Sequence, residues 1–161
     1  MSRIAVIPCR PEHAKELLGR GLRPADAAEI WKIRALPPDK GLEEALAASL
    51  LAVTVTADGK VAALCGVAEK SALSGAGVPW LLAHADFERR ETAVTLLRLS
   101  RKFIDHWLRI FGRLENMADP EHLVSLKYLE NLGFTLEWGR MISGPLGHPL
   151  VPFWRARTCV G

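Results

Sequence analysis

The chain is poor in the residue types and patterns that mark secreted, membrane-spanning or metal-binding proteins. Its three cysteines, Cys9, Cys65 and Cys159, are far apart and match no zinc or redox spacing, so we expect reduced thiols and no metal site. No apolar run is long enough to span a membrane. The N-terminal segment also lacks the apolar core of a signal peptide. We therefore expect the protein to stay in the compartment where it is made.

Strong charge of either sign is also missing. The formal net charge is +3, which does not predict the concentrated basic face that most nucleic-acid-binding proteins carry. Hydrophobic residues make up 49% of the chain and charged residues 24%, as in ordinary globular proteins. A chain of 161 residues can bury a sizeable core, and we expect one domain over residues 1–161.

The first half of the chain combines helical and strand patterns. Alternating residues predict a strand at 4–7, and helical spacing predicts helices that begin near Pro11, near Pro24 and at Gly41. Asp58-Gly59 lies between two apolar runs and predicts a tight hairpin, because both positions of such a turn need positive φ angles.

The second half predicts a buried strand at 78–83 and a long helix over about 88–111. The apolar stripe of that helix is predicted to be Val94, Leu97, Ile104, Trp107, Leu108 and Phe111, and the opposite side to be Arg98, Arg101, Lys102, Asp105 and Arg109.

A further strand, turn and helix are predicted from Leu114 to Phe134. Asp119 is the expected N-cap, Pro120 suits the first helical turn, and Gly133 can end the helix in the left-handed conformation. Strands at 134–142 and 151–158 complete an α+β pattern with a mixed sheet.

The helix that ends in Leu132-Gly133-Phe134 resembles the last segment of the GNAT acetyltransferase superfamily. That resemblance implies a GNAT-like mixed central sheet flanked by helices.

A narrower resemblance, to the small internal-virion-type proteins of podophages and related tailed phages, is carried by a series of motifs in order: Leu22-Arg23-Pro24-x-Asp26, Asp58-Gly59, Pro79-Trp80-Leu81-Leu82, Leu114-x-Asn116, Tyr128-Leu129-x-x-Leu132-Gly133-Phe134, and Gly144-Pro145-x-Gly147 with Phe153. It implies a role in the virion or its assembly.

The GNAT resemblance also implies a loop, at the start of the long helix, that holds the pyrophosphate of acetyl-CoA on glycine-containing backbone. Residues 83–93 contain no glycine, whereas Asp86, Glu88 and Glu91 would repel phosphate. Arg89 and Arg90 could still bind an anion. We favour the interpretation that the acidic residues stabilise the helix start and the arginines are solvated.

The acid that reprotonates the thiolate in many GNAT enzymes is a tyrosine four residues before the glycine of the Gly-Phe pair. Leu129 holds that position here, and Tyr128, the one tyrosine, lies one residue earlier. The family asparagine at the start of this helix is replaced by His122. Candidate general bases are Glu29, Glu69, Glu115 and His84, of which Glu69 ends a predicted central strand.

We therefore favour a phage-encoded protein with degraded acetyl-CoA and catalytic motifs, which contacts virion or assembly proteins in the host cytoplasm or the particle. The alternative is an active N-acetyltransferase with Arg89 and Arg90 on acetyl-CoA and with Tyr128, Asn116 and Glu69 as candidate catalytic residues. A third hypothesis, binding of single-stranded nucleic acid by the basic helix face, is the least favoured.

The first two hypotheses predict different structures. Catalysis requires an open gap between the strands at 80–83 and 114–118, whereas a scaffold would fill that gap with side chains such as Phe87 or Met117.

Overall fold

The strands and helices follow one another in the predicted order, and the computed structural model describes them over residues 2–158. Cys159 lies outside the described residues. The elements are β1 (Ile4–Pro8), α1 (Pro11–Arg20), α2 (Pro24–Arg34), α3 (Pro38–Ala48), β2 (Ser49–Ala57), β3 (Lys60–Glu69), β4 (Ala76–Ala83), α4 (Arg90–Ile110), β5 (Arg113–Ala118), α5 (Leu123–Asn131), β6 (Thr135–Leu136), β7 (Ile142–Ser143) and β8 (Pro149–Ala156). Short 3-10 helices lie at Ala85–Glu88 and Trp138–Arg140.

One sheet runs through the fold in the strand order β1-β2-β3-β4-β5-β8-β6, and β7 pairs with β8. Strands β4 and β5 run parallel to each other, and the other neighbouring strands in this order are antiparallel. The β2–β3 hairpin turns at Asp58 and Gly59, whose φ angles are 52° and 79°. The predicted α+β fold with a mixed sheet is therefore confirmed.

The parallel pair of strands stays together only at its beginning. In the described structure, β4 pairs with β5 at Ala76–Arg113 and at Gly77–Leu114. Beyond these two positions β4 continues to Ala83 and β5 to Ala118 without pairing. A gap therefore opens in the middle of the sheet, at the carboxyl ends of two parallel strands.

Apolar side chains cover both faces of the sheet. On one face, Leu17 of α1, Ile30 of α2 and Leu42 of α3 are buried against Leu64 and Leu82 of the central strands. On the other face, α4 and α5 bury a larger cluster on the strands that follow the gap, formed by Ile104, Trp107, Leu108, Leu126, Phe134 and Phe153. The sheet and its gap therefore lie between two layers of helices, each packed on its own face.

Most of the apolar stripe predicted for α4 is buried. Ile104, Trp107 and Leu108 are buried, and the predicted polar side is exposed. Val94 was predicted to be in the core, but 57% of its surface is exposed. The prediction was wrong because the first turns of α4 border an open cavity, which Val94 lines, while the buried residue there is Leu96.

Two predicted helix starts are also wrong. Helix α3 begins at Pro38, not at Gly41, because a proline in the first turn loses no hydrogen bond. Helix α5 begins at Leu123 with His122 before it. Asp119 is not the N-cap, because its Oδ1 accepts the N–H of Glu121 at 3.0 Å and its Oδ2 accepts from Lys32 Nζ at 2.9 Å.

The predicted strand over 134–142 is broken into β6, a 3-10 turn and β7, whereas β8 begins at Pro149, two residues before its predicted start at 151.

No helix among the described residues is long and apolar enough to cross a membrane. Likewise, no group of His, Cys, Asp or Glu in the described part of the chain could hold a metal ion.

Candidate functional site

The gap between β4 and β5 opens into a cavity of about 600 Å³. Its lining comes from both faces of the sheet: Glu29 and Ile33 of α2 on one side, and Leu97, Ser100 and Tyr128 of α4 and α5 on the other. A cavity of this volume is within the range of small-molecule sites. An elongated ligand could therefore pass through the sheet and meet different side chains on its two faces.

The edge of β4 offers main-chain hydrogen-bonding groups to this gap. Pro79 O accepts from Asn116 Nδ2 at 2.9 Å, and the Ala83 N–H donates to Asp26 Oδ2 at 2.9 Å. Because alternate residues of a strand direct their N–H and C=O to the same side, those of Leu81 point into the gap between these two contacts. The N–H and C=O of Leu81 are thus directed into the gap, where they can form hydrogen bonds with the amide groups of a ligand.

Glu29 of α2 lies beside the cavity with a carboxyl group that is poorly solvated. Burial raises the pKa of Glu29 to about 7, although the N–H of Asp119 donates to its Oε2 at 2.9 Å. A carboxyl group that titrates near neutral pH can accept a proton from a substrate and release it again. Glu29, one of four candidate bases from the sequence, is the only one of them among the cavity-lining residues.

Behind Glu29, a buried charge network connects the two sides of the gap. Asp26 Oδ1 lies 2.9 Å from His122 Nε2, and Arg23 donates from Nε to Asp26 Oδ2 at 2.9 Å. Burial acts to raise the pKa of Asp26, but the hydrogen bonds from His122 and Arg23 outweigh it and hold the pKa below its usual value. Since Asp26 also accepts from the Ala83 N–H, it joins α2, the end of β4 and the start of α5.

Tyr128 reaches the cavity from α5. Its hydroxyl is hydrogen-bonded to the Ser100 hydroxyl on α4, and its ring packs edge-on against Phe87 at 6.0 Å. Burial raises the pKa of Tyr128 to about 12, against the opposing effect of the Ser100 hydrogen bond. The hydroxyl is therefore protonated at neutral pH and can donate a proton to an anion formed in the cavity.

The carboxylates at the start of α4 are paired with arginines. Asp86 Oδ2 lies 2.6 Å from Arg20 Nη2, and Asp86 Oδ1 lies 3.1 Å from Arg89 Nη2. The hydrogen bond from Arg20 lowers the pKa of Asp86, so this carboxylate is ionised at neutral pH. Glu88 Oε1 lies 3.4 Å from Arg23 Nη1.

The other residues predicted from the sequence lie in different places. Asn116 lines the gap, where its amide braces β5 against Pro79. Glu69 is exposed at the end of β3, and neither it nor Arg89 and Arg90 line the cavity. Glu115 pairs with Lys70 and Arg113 near the closed end of the gap. Phe87 and Met117 border the cavity without filling it.

His84, a candidate base from the sequence, lies beside Asp86, with 3.4 Å between its Nδ1 and Asp86 Oδ2. Its Nδ1 accepts the N–H of Asp86 at 3.1 Å, which caps the 3-10 helix that follows β4. This is a local structural role, and His84 is absent from the cavity lining.

The two parts of acetyl-CoA would meet different surroundings in this structure. The long amide-containing arm matches the open gap and the directed amide groups of Leu81. At the start of α4, where a diphosphate would have to bind, the segment carries Asp86, Glu88 and Glu91 and no glycine. Arg89 there is paired with Asp86, whereas Arg90 is exposed and in no ion pair among the described residues.

No protein-family model and no curated protein matches this sequence, whereas solved structures do match it. Ribosomal-protein-S18-alanine N-acetyltransferase from Escherichia coli has a TM-score of 0.63 and 14% identity, covering 99% of this chain and 97% of that one. Ribosomal-protein-S5-alanine acetyltransferase from Vibrio fischeri has a TM-score of 0.67 and 14% identity, covering 100% and 99%.

Spermidine N-acetyltransferase from Vibrio cholerae, solved in complex with CoA and spermine, has a TM-score of 0.65 and 12% identity and covers 95% of each chain. Likeness at this level of identity concerns the fold. This chain therefore has the fold of the GNAT acetyltransferases.

Proposed function

We propose that the protein is an N-acyltransferase that moves an acyl group from a thioester to an amine. One observation carries this proposal: the open cavity between β4 and β5 is lined by a carboxyl group that titrates near pH 7, Glu29, and by a protonated hydroxyl, Tyr128. A base and an acid in one cavity are what acyl transfer between an amine and a thioester needs.

The roles of the two residues follow from the chemistry. The amine nitrogen forms a bond to the thioester carbonyl carbon, and the carbon–sulfur bond breaks. Glu29 accepts the proton that the amine loses, and Tyr128 donates its hydroxyl proton to the departing thiolate. The proton on Glu29 then returns to the tyrosinate through solvent, which restores both groups. Holding both reactants in one cavity supplies much of the acceleration.

The acceptor enters from the side of α2, where Glu29 lies, and the thioester arm enters from the side of α4 and α5. The solved structures with this fold include enzymes named for an alanine of a ribosomal protein and for spermidine, which is an amine. We propose a primary amine as the acceptor class for this chain.

A thiol-release assay tests this function directly. Acetyl-pantetheine and acetyl-CoA are the donors, and spermidine and a peptide with an N-terminal alanine are the acceptors; acetylated product is identified by mass spectrometry. Turnover that falls by about 10²–10⁴ in Glu29→Gln and also falls in Tyr128→Phe supports the proposal. Glu69→Gln is the matched control, because Glu69 is exposed and outside the cavity. Equal turnover in Glu29→Gln and wild type would contradict it.

A second candidate function is that of a scaffold in a phage particle or its assembly, acting by contact with other virion proteins. The start of α4 favours it, because Asp86 and Glu88 are tied to the protein's own arginines. Exposed apolar side chains, namely Trp31, Trp138, Met141, Ile142 and Leu146, supply surfaces for such contacts. Calorimetry that detects no binding of acetyl-pantetheine or acetyl-CoA at millimolar concentration would leave this candidate in place of the first.

A further inference from the structure

The side of the cavity that carries Glu29 has a wall of apolar side chains. This wall is built by residues of α2, α3 and β4 that line the cavity: Ile30, Ile33, Ala45, Trp80 and Leu82. Ile30, Trp80 and Leu82 also belong to the hydrophobic cluster under the first three helices, so they lie on the face of the sheet that α2 covers. An acceptor that reaches Glu29 therefore meets mainly apolar surface.

Trp80 is fixed so that its ring forms part of this wall. Its Nε1 donates to Ser49 Oγ at 2.7 Å, which uses the polar end of the indole. Trp80 pairs across the sheet with Gly66, where an added Cβ would lie 3.0 Å from the indole ring. The ring therefore lies against the bare backbone of β3, and its partly buried remainder offers an aromatic surface to a ligand.

The charged residues that line the cavity include more cations than carboxyl groups. Among the described residues of the lining, the cations are Arg23, Arg34 and Lys127, and the carboxyl groups are those of Glu29 and Glu88. Their formal charge is 3 − 2 = +1 when both carboxyl groups are ionised. Glu88 lies 3.4 Å from Arg23, which leaves Glu29 as the carboxyl group that can receive an amine.

Other carboxylates close to α2 and α3 are also paired. Lys32 Nζ lies 2.9 Å from Asp119 Oδ2 and 2.6 Å from Glu121 Oε2. Glu44 Oε2 lies 3.7 Å from Arg34 Nη1. A second ammonium group on the acceptor would have to displace one of these cations or lie against apolar side chains, and burying an unpaired charge is costly.

From an apolar wall beside one available carboxyl group, we infer that the acceptor is a monoamine whose amino group is attached to an apolar body, and that Trp80 and Ile33 select that body. This inference rests on the proposed function and names its acceptor class. Glu29 takes the proton of the amine, while the body packs on the wall and leaves water. Spermidine can still present one amine to Glu29, so we expect it to be a slow acceptor.

Acetylation of three amines tests this inference. Phenethylamine, ethylamine and spermidine are compared with the full-length protein and one donor, the faster of acetyl-CoA and acetyl-pantetheine. We expect kcat/KM for phenethylamine to be at least about tenfold higher than for each of the other two amines. Ethylamine lacks the apolar body, whereas spermidine carries additional positive charges, so the two comparisons examine the wall and the charge separately.

A variant of the wall adds a second readout. Ile33→Glu places a carboxylate beside the acceptor, and the ratio of kcat/KM for phenethylamine to that for spermidine should fall by about tenfold. Ile33→Gln, which is polar but uncharged, should lower this ratio by less. Ile110→Glu is the matched control, because Ile110 is 47% exposed at the end of α4 and is not among the cavity-lining residues, and it should leave the ratio unchanged.

Three results would overturn the inference. Spermidine or ethylamine acetylated as efficiently as phenethylamine would show that the wall does not select the acceptor, while the turnover itself would leave the proposed acyl transfer intact. An equal change of the ratio in Ile33→Glu and Ile110→Glu would show that Ile33 does not contact the acceptor. Acetylation of none of the three amines would overturn this inference and the proposed function together.

Discussion

His122 Nε2 lies 2.9 Å from Asp26 Oδ1, and both side chains are 2% exposed. The two residues are 96 positions apart in the chain, yet the pair is completed by Arg23 and by the N–H of Ala83 at the end of β4. A buried carboxylate with three partners and four hydrogen bonds fixes the relative positions of α2, β4 and α5. These are the elements that border the open gap.

Replacing Asp26 should strongly destabilise the fold. Asp26→Ala leaves the Arg23 guanidinium buried without its carboxylate, and we expect a loss of about 3–5 kcal/mol in the free energy of unfolding. Urea denaturation followed by tryptophan fluorescence measures it. Glu130→Ala on the exposed side of α5 is the control and should change stability by less than about 0.5 kcal/mol. A loss of similar size in both variants would contradict the role of the network.

The raised pKa of Glu29 predicts that its ionisation costs stability. Its pKa rises from 4.5 in the unfolded chain to about 7 in the folded protein, so the folded state holds the proton over that range. The contribution of protonated Glu29 is fully present below pH 4.5 and is lost as pH rises through 7. Since Glu29→Gln cannot ionise, the variant should gain roughly 2–3 kcal/mol relative to wild type between pH 4.5 and pH 8.

Urea unfolding of both proteins at these two pH values tests this prediction. Glu130→Gln, which changes an exposed carboxyl group on α5, should show no such difference between the two pH values. A stability difference between wild type and Glu29→Gln that does not change with pH would mean that the carboxyl group is solvated in the folded protein.

We expect Asn116 to control the width of the gap and to take no part in the chemical step. Its Nδ2 donates to Pro79 O and its Oδ1 accepts the N–H of Met117, so the amide braces β5 against β4. Asn116→Ala should lose about 0.5–1.5 kcal/mol of unfolding free energy and weaken binding of acetyl-pantetheine. Asn116→Asp, which has the same shape but no donor, should lose at least as much. An Asp variant as stable as wild type would show that this hydrogen bond does not hold the strands.

The fold was predictable from the sequence because its main signals are local. Asp58-Gly59 can adopt the φ angles of a tight turn, the periodicity of α4 is long and regular, and Gly133 ends α5 with a φ angle of 83°. Errors arose where a side chain had a partner elsewhere. Asp119 resembled a helix cap, but Lys32 and the N–H of Glu121 hold its two oxygens.

The candidate site was less predictable, because its contacts join distant segments. Asp26 looks like an ordinary acidic residue in the first turn of a helix, and nothing near it in sequence indicates His122 or Ala83 as partners. Tyr128 is one residue from the expected register, yet it lines the cavity. The composition of the start of α4, by contrast, was visible in the sequence, since its carboxylates and its lack of glycine are local features.

The pH dependence of kcat/KM for thiol release, in wild type and Glu29→Gln, tests the central claim most directly. If Glu29 is the base, wild-type activity rises with pH through an apparent pKa near 7, while Glu29→Gln has a rate lower by about 10²–10⁴ without that step. Acetyl-pantetheine and spermidine serve as substrates. A step near pH 7 that survives in Glu29→Gln at a comparable rate would contradict the account.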